Sequence, residues 1–211
     1  MNNMIESIVF PNYGYLKIQL TDEQVAPVLH EVEKIQTDFV KASKANDYLV
    51  GQIQKEFLLH DCCDHLNTLL EDFVQVYENK FRFLSSIVWL SKQTPMCVSN
   101  AWVNFQAKHE FNPVHDHAGI LSFVLWIKIP YTMQNEILNS PGKNSKSPLS
   151  GHFSFYYTDM LGDIRHYDIP ADQSMENCML VFPAKLNHSV HPFYSSDDYR
   201  ISVSGNIVFK I

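Results

Sequence analysis

The sequence predicts a mainly β fold, a sandwich or barrel, with helices confined to its N-terminal third. Three observations carry this. From about Ser86 onward, short apolar runs of strand length recur between polar turns. Before that point, apolar residues recur at helical spacing. And Tyr199 to Phe209 alternates: Arg200, Ser202, Ser204 and Asn206 share one face, while Tyr199, Ile201, Val203, Ile207 and Phe209 share the other.

The elements follow in chain order. A short strand is expected at Tyr15 to Leu20. Asp22 to Val40 reads as a helix through Val25, Val28, Leu29, Val32, Ile35 and Phe39. Thr21 and Gln24 have the spacing of a capping box, but Pro27 lacks an N–H, so the helix is expected to start later. A second helical pattern runs from about Ile53 to Phe81, with a break expected near His60-Asp61; its stripe is Cys62, Leu66, Leu69, Leu70, Phe73 and Tyr77. The expected strands are Ser86 to Leu90, Val98 to Ala107, Val114 to Ile129, His152 to Tyr157, Met179 to Phe182, Asn187 to Pro192 and Tyr199 to Lys210. Gln134 to Ser150 is polar, holds Pro141, Gly142 and Pro148, and is long for a connector, so a lid is expected there.

With 211 residues the chain suits one domain, able to bury on the order of 70% of its unfolded surface. We read residues 1–211 as a single unit: 1–85 a helical support region, 86–211 the β core. Hydrophobic residues at 45% exclude a disordered chain. A formal charge of −7 without a basic cluster predicts neither a nucleic-acid partner nor attraction to an anionic membrane. No run of about 18 apolar residues exists, so no membrane span is expected. Met1 to Pro11 lacks the plan of a signal peptide, which predicts a cytoplasmic protein. Cys62, Cys63, Cys97 and Cys178 form no C-x-x-C pair and read as reduced, mostly packed thiols.

The chemistry is carried by His115-Asp116-His117, by His188, and by Arg200-Ile201-Ser202. On an extended strand His115 and His117 project to one side, and His188 from a distant strand closes a triangle around a metal. Two His and a carboxylate is the usual set for a redox-active non-haem iron; here the carboxylate position is histidine. Three neutral imidazoles leave the full charge of a divalent ion uncompensated, which favours an anionic co-ligand. Asp116 faces the opposite way on a regular strand, as a supporting or solvent group. His191 is a reserve ligand, pointing away from His188. Arg200 offers a fork of donors to a carboxylate and Ser202 a hydroxyl to the same anion. An acid held there and chelating the metal at its other end matches 2-oxoglutarate. Trp102, Asn104, Trp126 and Tyr156 are candidate pocket walls.

At these residues the chain resembles the Fe(II)/2-oxoglutarate-dependent oxygenase superfamily, on its prolyl-hydroxylase-like side, and within it the oxygenases of tailed viruses of marine cyanobacteria. The likeness lies in Trp102-Val103-Asn104, Glu110 to Gly119, Leu121-Ser122-Phe123, Phe182-Pro183, Leu186, His188-Ser189-Val190 and Arg200 to Asn206, and spans roughly positions 98 to 211. It implies a double-stranded β-helix (jelly roll) buttressed by two or more α-helices. It implies Fe(II) on His115 and His188 and the 2-oxoglutarate C5 carboxylate on Arg200, assisted by Ser202. The chain departs from the superfamily at His117, where Asp or Glu is usual. The implied activity is hydroxylation of a peptide or small-molecule substrate with dioxygen, coupled to decarboxylation of 2-oxoglutarate to succinate.

Two other readings fit the same residues. Three His can hold zinc and an activated water, giving a hydrolase or hydratase. A jelly roll can also serve as a non-enzymatic binding protein. A cupin-type three-His dioxygenase fits less well, because Gly119 to Phe123 lacks the Glu that pattern wants.

Overall fold

The computed structural model describes residues 12–87 and 95–210. Among the described residues, ten strands form two antiparallel sheets facing each other as a double-stranded β-helix. They are β1 (Leu16–Gln19), β2 (Glu56–Leu59), β3 (Met96–Gln106), β4 (Asn112–His115), β5 (Leu121–Lys128), β6 (His152–Thr158), β7 (Ile164–Pro170), β8 (Cys178–Pro183), β9 (His188–Val190) and β10 (Arg200–Phe209). The larger sheet has the order β1-β8-β5-β10-β3-β2, the smaller β4-β9-β6-β7. The helices are α1 (Asp22–Thr37), α2 (Cys63–Phe81), α3 (Phe83–Ile87) and α4 (Met133–Asn139).

Strand alternation divides the larger sheet between two cores. Val103, Phe105, Phe123, Leu125, Val181, Ile201 and Val203 point outward and pack beneath α1 and α2 through Val28, Val32, Leu66, Leu70 and Tyr77. Val124, Trp126, Leu180 and Phe182 point inward and meet Phe153 and Phe155 of the smaller sheet. Because both faces of β5 and β8 are covered, their sequences read as nearly unbroken apolar runs.

Several expectations are corrected. The first helix begins at Asp22, with Pro27 inside it. Thr21 and Gln24 close the capping box and hold the first turn, so Pro27 removes one hydrogen bond without delaying the start. Leu29 in the expected stripe is 36% exposed. The second helical run fails at its beginning, because Glu56–Leu59 is strand β2, paired with β3. Here a sheet edge wanting a partner outweighs local helical spacing. The chain then turns into α2, whose Cys62 cap position offers no side-chain bond. Glu31 of α1 takes that role by accepting from the backbone N–H of His60, Asp61 and Cys62 at 2.7, 3.0 and 2.8 Å.

In the expected strand Ser86 to Leu90, Ser86 and Ile87 end α3, and residues 88–90 lie outside the described residues. The long strand Val114 to Ile129 is two strands in different sheets. The corner between them turns at Gly119, whose φ of +135° suits a residue without Cβ. Strand β7 was not expected. Its outer face is exposed, so it lacks an apolar signature. The polar connector after Gln134 begins as helix α4. There Glu136 is fully buried and accepts from the backbone N–H of Tyr194 and Ser195, which ties the segment down.

Candidate metal centre and anion site

Three side chains meet between the sheets. His115 and His188 are cross-strand partners of β4 and β9, with ring centroids 4.3 Å apart. His117 lies just past β4. Its backbone N–H still donates to Ala184 O at 2.8 Å, so the local backbone stays strand-like and the ring turns to the same side as His115. One nitrogen from each of the three lies within 4.8 Å of the others. His115 and His188 each commit Nδ1 to a backbone carbonyl, those of Pro113 and Leu186, at 2.8 and 2.9 Å. Those nitrogens therefore carry the protons, and each Nε2 presents a lone pair. His117 Nε2 and His188 Nε2 are 3.1 Å apart. Two lone pairs at that separation repel unless a proton or a metal cation lies between them.

The surroundings favour neutral imidazole. His188 is 3% exposed, stacked on Phe153 at 5.4 Å with Phe182 edge-on at 4.9 Å. Burial, reinforced by the other two rings, pushes its pKa well below the usual value. Burial and His115 bring His117 down to about 4, and burial lowers His115. Neutral, convergent imidazoles are the form that binds a first-row divalent metal. Asp116 is half exposed and lies 3.4 Å from Lys185 Nζ. It borders the cavity without joining the three rings. His191 is turned away, its Nε2 3.0 Å from Ser154 Oγ.

The cluster opens into a cavity of about 450 Å³. The inward faces of β2, β3, β5 and β10 form one wall, and register sets its rows. Glu56, Asn104, Ser202 and Trp126 lie side by side across β2, β3, β10 and β5, and Gln106 stands opposite Arg200. Trp102 also lines it, its ring 5.6 Å from His117. Tyr156, an expected wall residue, is not among the lining residues; its hydroxyl is 3.0 Å from Ser189 Oγ.

Arg200 is buried in this wall, 2% exposed. The expected free fork is in fact engaged. Nε and Nη2 donate to Gln106 Oε1 at 3.1 and 2.7 Å, Nη2 also to His191 O at 2.8 Å, and Nη1 to Tyr131 Oη and Gly151 O at 2.6 and 3.3 Å. Every one of these acceptors is neutral, and no carboxylate pairs with Arg200 among the described residues. A guanidinium buried among neutral acceptors attracts an anion. Ser202 Oγ, two residues on, accepts from Asn104 Nδ2 at 3.5 Å.

Sequence reasoning missed Gln106, Tyr131, Glu56 and Asn112. Gln106 was within reach, since it continues the Trp102, Asn104 face of β3. Tyr131 lies outside every strand, and Glu56 lay in a segment read as helical, so neither carried a signal.

The comparisons agree with this architecture. Residues 100–206, just over half of the chain, match the family described as "Putative 2OG-Fe(II) oxygenase". The chain belongs to that family, an oxygenase family whose chemistry uses Fe(II) and 2-oxoglutarate. Among solved structures it is similar to a Pseudomonas putida prolyl-4-hydroxylase, with 14% identity, 94% of each chain covered and a TM-score of 0.57. It is also similar to AviO1 from Streptomyces viridochromogenes Tue57, with 12% identity, 93% of this chain and 90% of that one covered, and a TM-score of 0.53. At such identities these likenesses concern the fold. No curated protein sequence matches the chain. Among the described residues, no helix is long and apolar enough to cross a membrane.

Proposed function

We propose that the protein is a hydroxylase holding Fe(II) on His115, His117 and His188 and 2-oxoglutarate at Arg200 and Ser202. The observation that carries this is a cavity with three converging neutral imidazoles and, in its wall, a buried guanidinium without a carboxylate partner. When bound, iron with 2-oxoglutarate supplies the oxidising power, with succinate as the co-product. The chain supplies the rest. The two backbone carbonyls fix the tautomer and aim of His115 and His188. Phe153, Phe155 and Phe182 exclude water around His188. A carboxylate arriving at Arg200 displaces Gln106 Oε1, the acceptor that lines the cavity and occupies both Nε and Nη2. An anion in place of a neutral amide makes these hydrogen bonds shorter and roughly twice as strong.

With three neutral ligands, the metal would keep a charge of +2. This favours the anionic 2-oxo acid as chelator, and so compensates for the carboxylate absent at position 117. We further place the chain with the oxygenases of marine cyanobacterial viruses, on the sequence likeness over roughly positions 98 to 211.

Anaerobic addition of Fe(II) and then 2-oxoglutarate is the test. A weak visible charge-transfer band is expected, lost in Arg200→Met and in His188→Ala, with succinate released on admitting air. Stoichiometric zinc in protein purified without chelators, together with no affinity for 2-oxoglutarate, would instead establish the hydrolytic reading.

A further inference from the structure

The cavity has a second pole that this chemistry leaves unused. Glu56 lines it from β2 and is 1% exposed. Its Oε2 accepts from Asn46 Nδ2 at 3.2 Å, while no donor reaches Oε1 among the described residues. Asn104, in the same row on β3, is 5% exposed, and its Oδ1 is buried without a partner. Asn112 Oδ1, at the start of β4, is likewise buried and unpartnered. Gly51 shows how closely two of these oxygens converge. A Cβ built there would lie 2.5 Å from Glu56 Oε1 and would also collide with Asn112 Oδ1. Gly51 thus leaves open a space that any side chain would fill.

Three oxygens at this pole, one of them a carboxylate oxygen, receive no donor among the described residues: Glu56 Oε1, Asn104 Oδ1 and Asn112 Oδ1. Buried acceptors of this kind are normally satisfied. The group that matches them is a cation carrying several N–H bonds, and an ammonium has three. Charge placement points the same way. Arg200 and Glu56 stand on the same sheet face, two strands apart, so about 10 Å separates their strands. The donors of Arg200 go to Gln106, Tyr131, Gly151 and His191, none of them to Glu56. One wall of the cavity therefore carries a buried guanidinium and a buried carboxyl group, each facing neutral partners within hydrogen-bonding distance.

We infer that Glu56, Asn104 and Asn112 form the recognition site for an ammonium group on the substrate, making this an oxygenase of amine-bearing molecules such as an amino acid, a lysine side chain or a polyamine. The inference rests on the oxygenase reading for the reaction, but not for the binding. Burial, with Glu110 adding to it, pushes Glu56 up to about 7. A bound ammonium supplies the counter-charge that keeps it ionised.

The test uses the full chain at pH 8, without metal, and three probes of one shape: n-butylammonium, n-butanol and butyrate, titrated by ligand-observed NMR. Binding of n-butylammonium at least tenfold tighter than n-butanol is expected. Glu56→Gln should weaken it at least tenfold, while Glu71→Gln on α2 leaves it unchanged. Circular dichroism of each variant checks that it is folded. Equal binding of ammonium and alcohol, or of wild type and Glu56→Gln, overturns the inference. So does Ca²⁺ binding that depends on Glu56 where n-butylammonium binding does not, which would make the pole an inorganic cation site. A second readout separates the two proposals. With Fe(II), 2-oxoglutarate and air, amines should stimulate succinate release in wild type and not in Glu56→Gln. Ammonium binding without any 2-oxoglutarate consumption would sustain the ammonium site and defeat the oxygenase reading.

Discussion

Glu56→Gln is expected to stabilise the protein at neutral pH and to leave it nearly unchanged in acid. Burial and the nearby charge of Glu110 raise the carboxyl from its ordinary 4.5 to about 7. The folded protein therefore binds a proton more tightly at this position than the unfolded chain does. As pH rises above 4.5 the unfolded chain releases that proton while the fold retains it, so stability falls until pH passes about 7. Each tenfold difference in proton affinity is worth about 1.4 kcal/mol, so the full effect approaches roughly 3 kcal/mol. Gln matches the volume of the protonated acid and cannot ionise. For a chain of this size that difference corresponds to a rise in Tm of about 6–12 °C above pH 7. Thermal unfolding of both proteins from pH 4 to 8.5 is the assay. The curves should meet near pH 4 and separate steadily toward pH 8. Parallel curves, or a gap that widens toward acid, would refute the reasoning that Glu56 is held in the cavity wall without a counter-charge.

Fe(II) at a hundredfold excess over its dissociation constant should stabilise wild type by about 2.7 kcal/mol in anaerobic melts, and His188→Ala should show no such shift. His117, held near 4, is a group whose neutral form the fold prefers, so stability is lost as pH falls from 6.5 toward 4. His117→Gln should remove roughly 2–3 kcal/mol of that acid loss, read from urea unfolding at pH 7 and pH 4.5. Glu31→Ala strips the acceptor from three backbone N–H groups at the head of α2 and should cost at least about 3 kcal/mol in urea unfolding. Gly205→Ala would place a methyl 2.6 Å from Phe123 Cε1 and 2.7 Å from Asn100 O. Because the second contact is backbone, a loss of about 1–3 kcal/mol or more is expected in the same assay.

Much of the framework was legible in the chain. The capping box at Thr21, the α2 stripe and the two faces of β10 follow from periods set by the backbone itself, and such signals survive whatever the chain folds against. His115 and His117 were readable as a pair for the same reason, since a spacing of two fixes a common side even where the regular strand has ended. Other features depend on a partner. Glu56–Leu59 becomes a strand because β3 offers an edge, and β7 forms on β6 with little burial of its own.

The sequence by itself determined which residues could ligate a metal and which face of β10 is polar, because alternation and residue chemistry are local properties. Tertiary structure alone decided that His188 stands across from His115, that Gln106, Tyr131 and two backbone carbonyls already hold Arg200, and that Glu56 sits buried in the same wall. Those outcomes depend on strand register, loop closure and exclusion of water, which bring together residues tens of positions apart that carry no mark of one another in the chain.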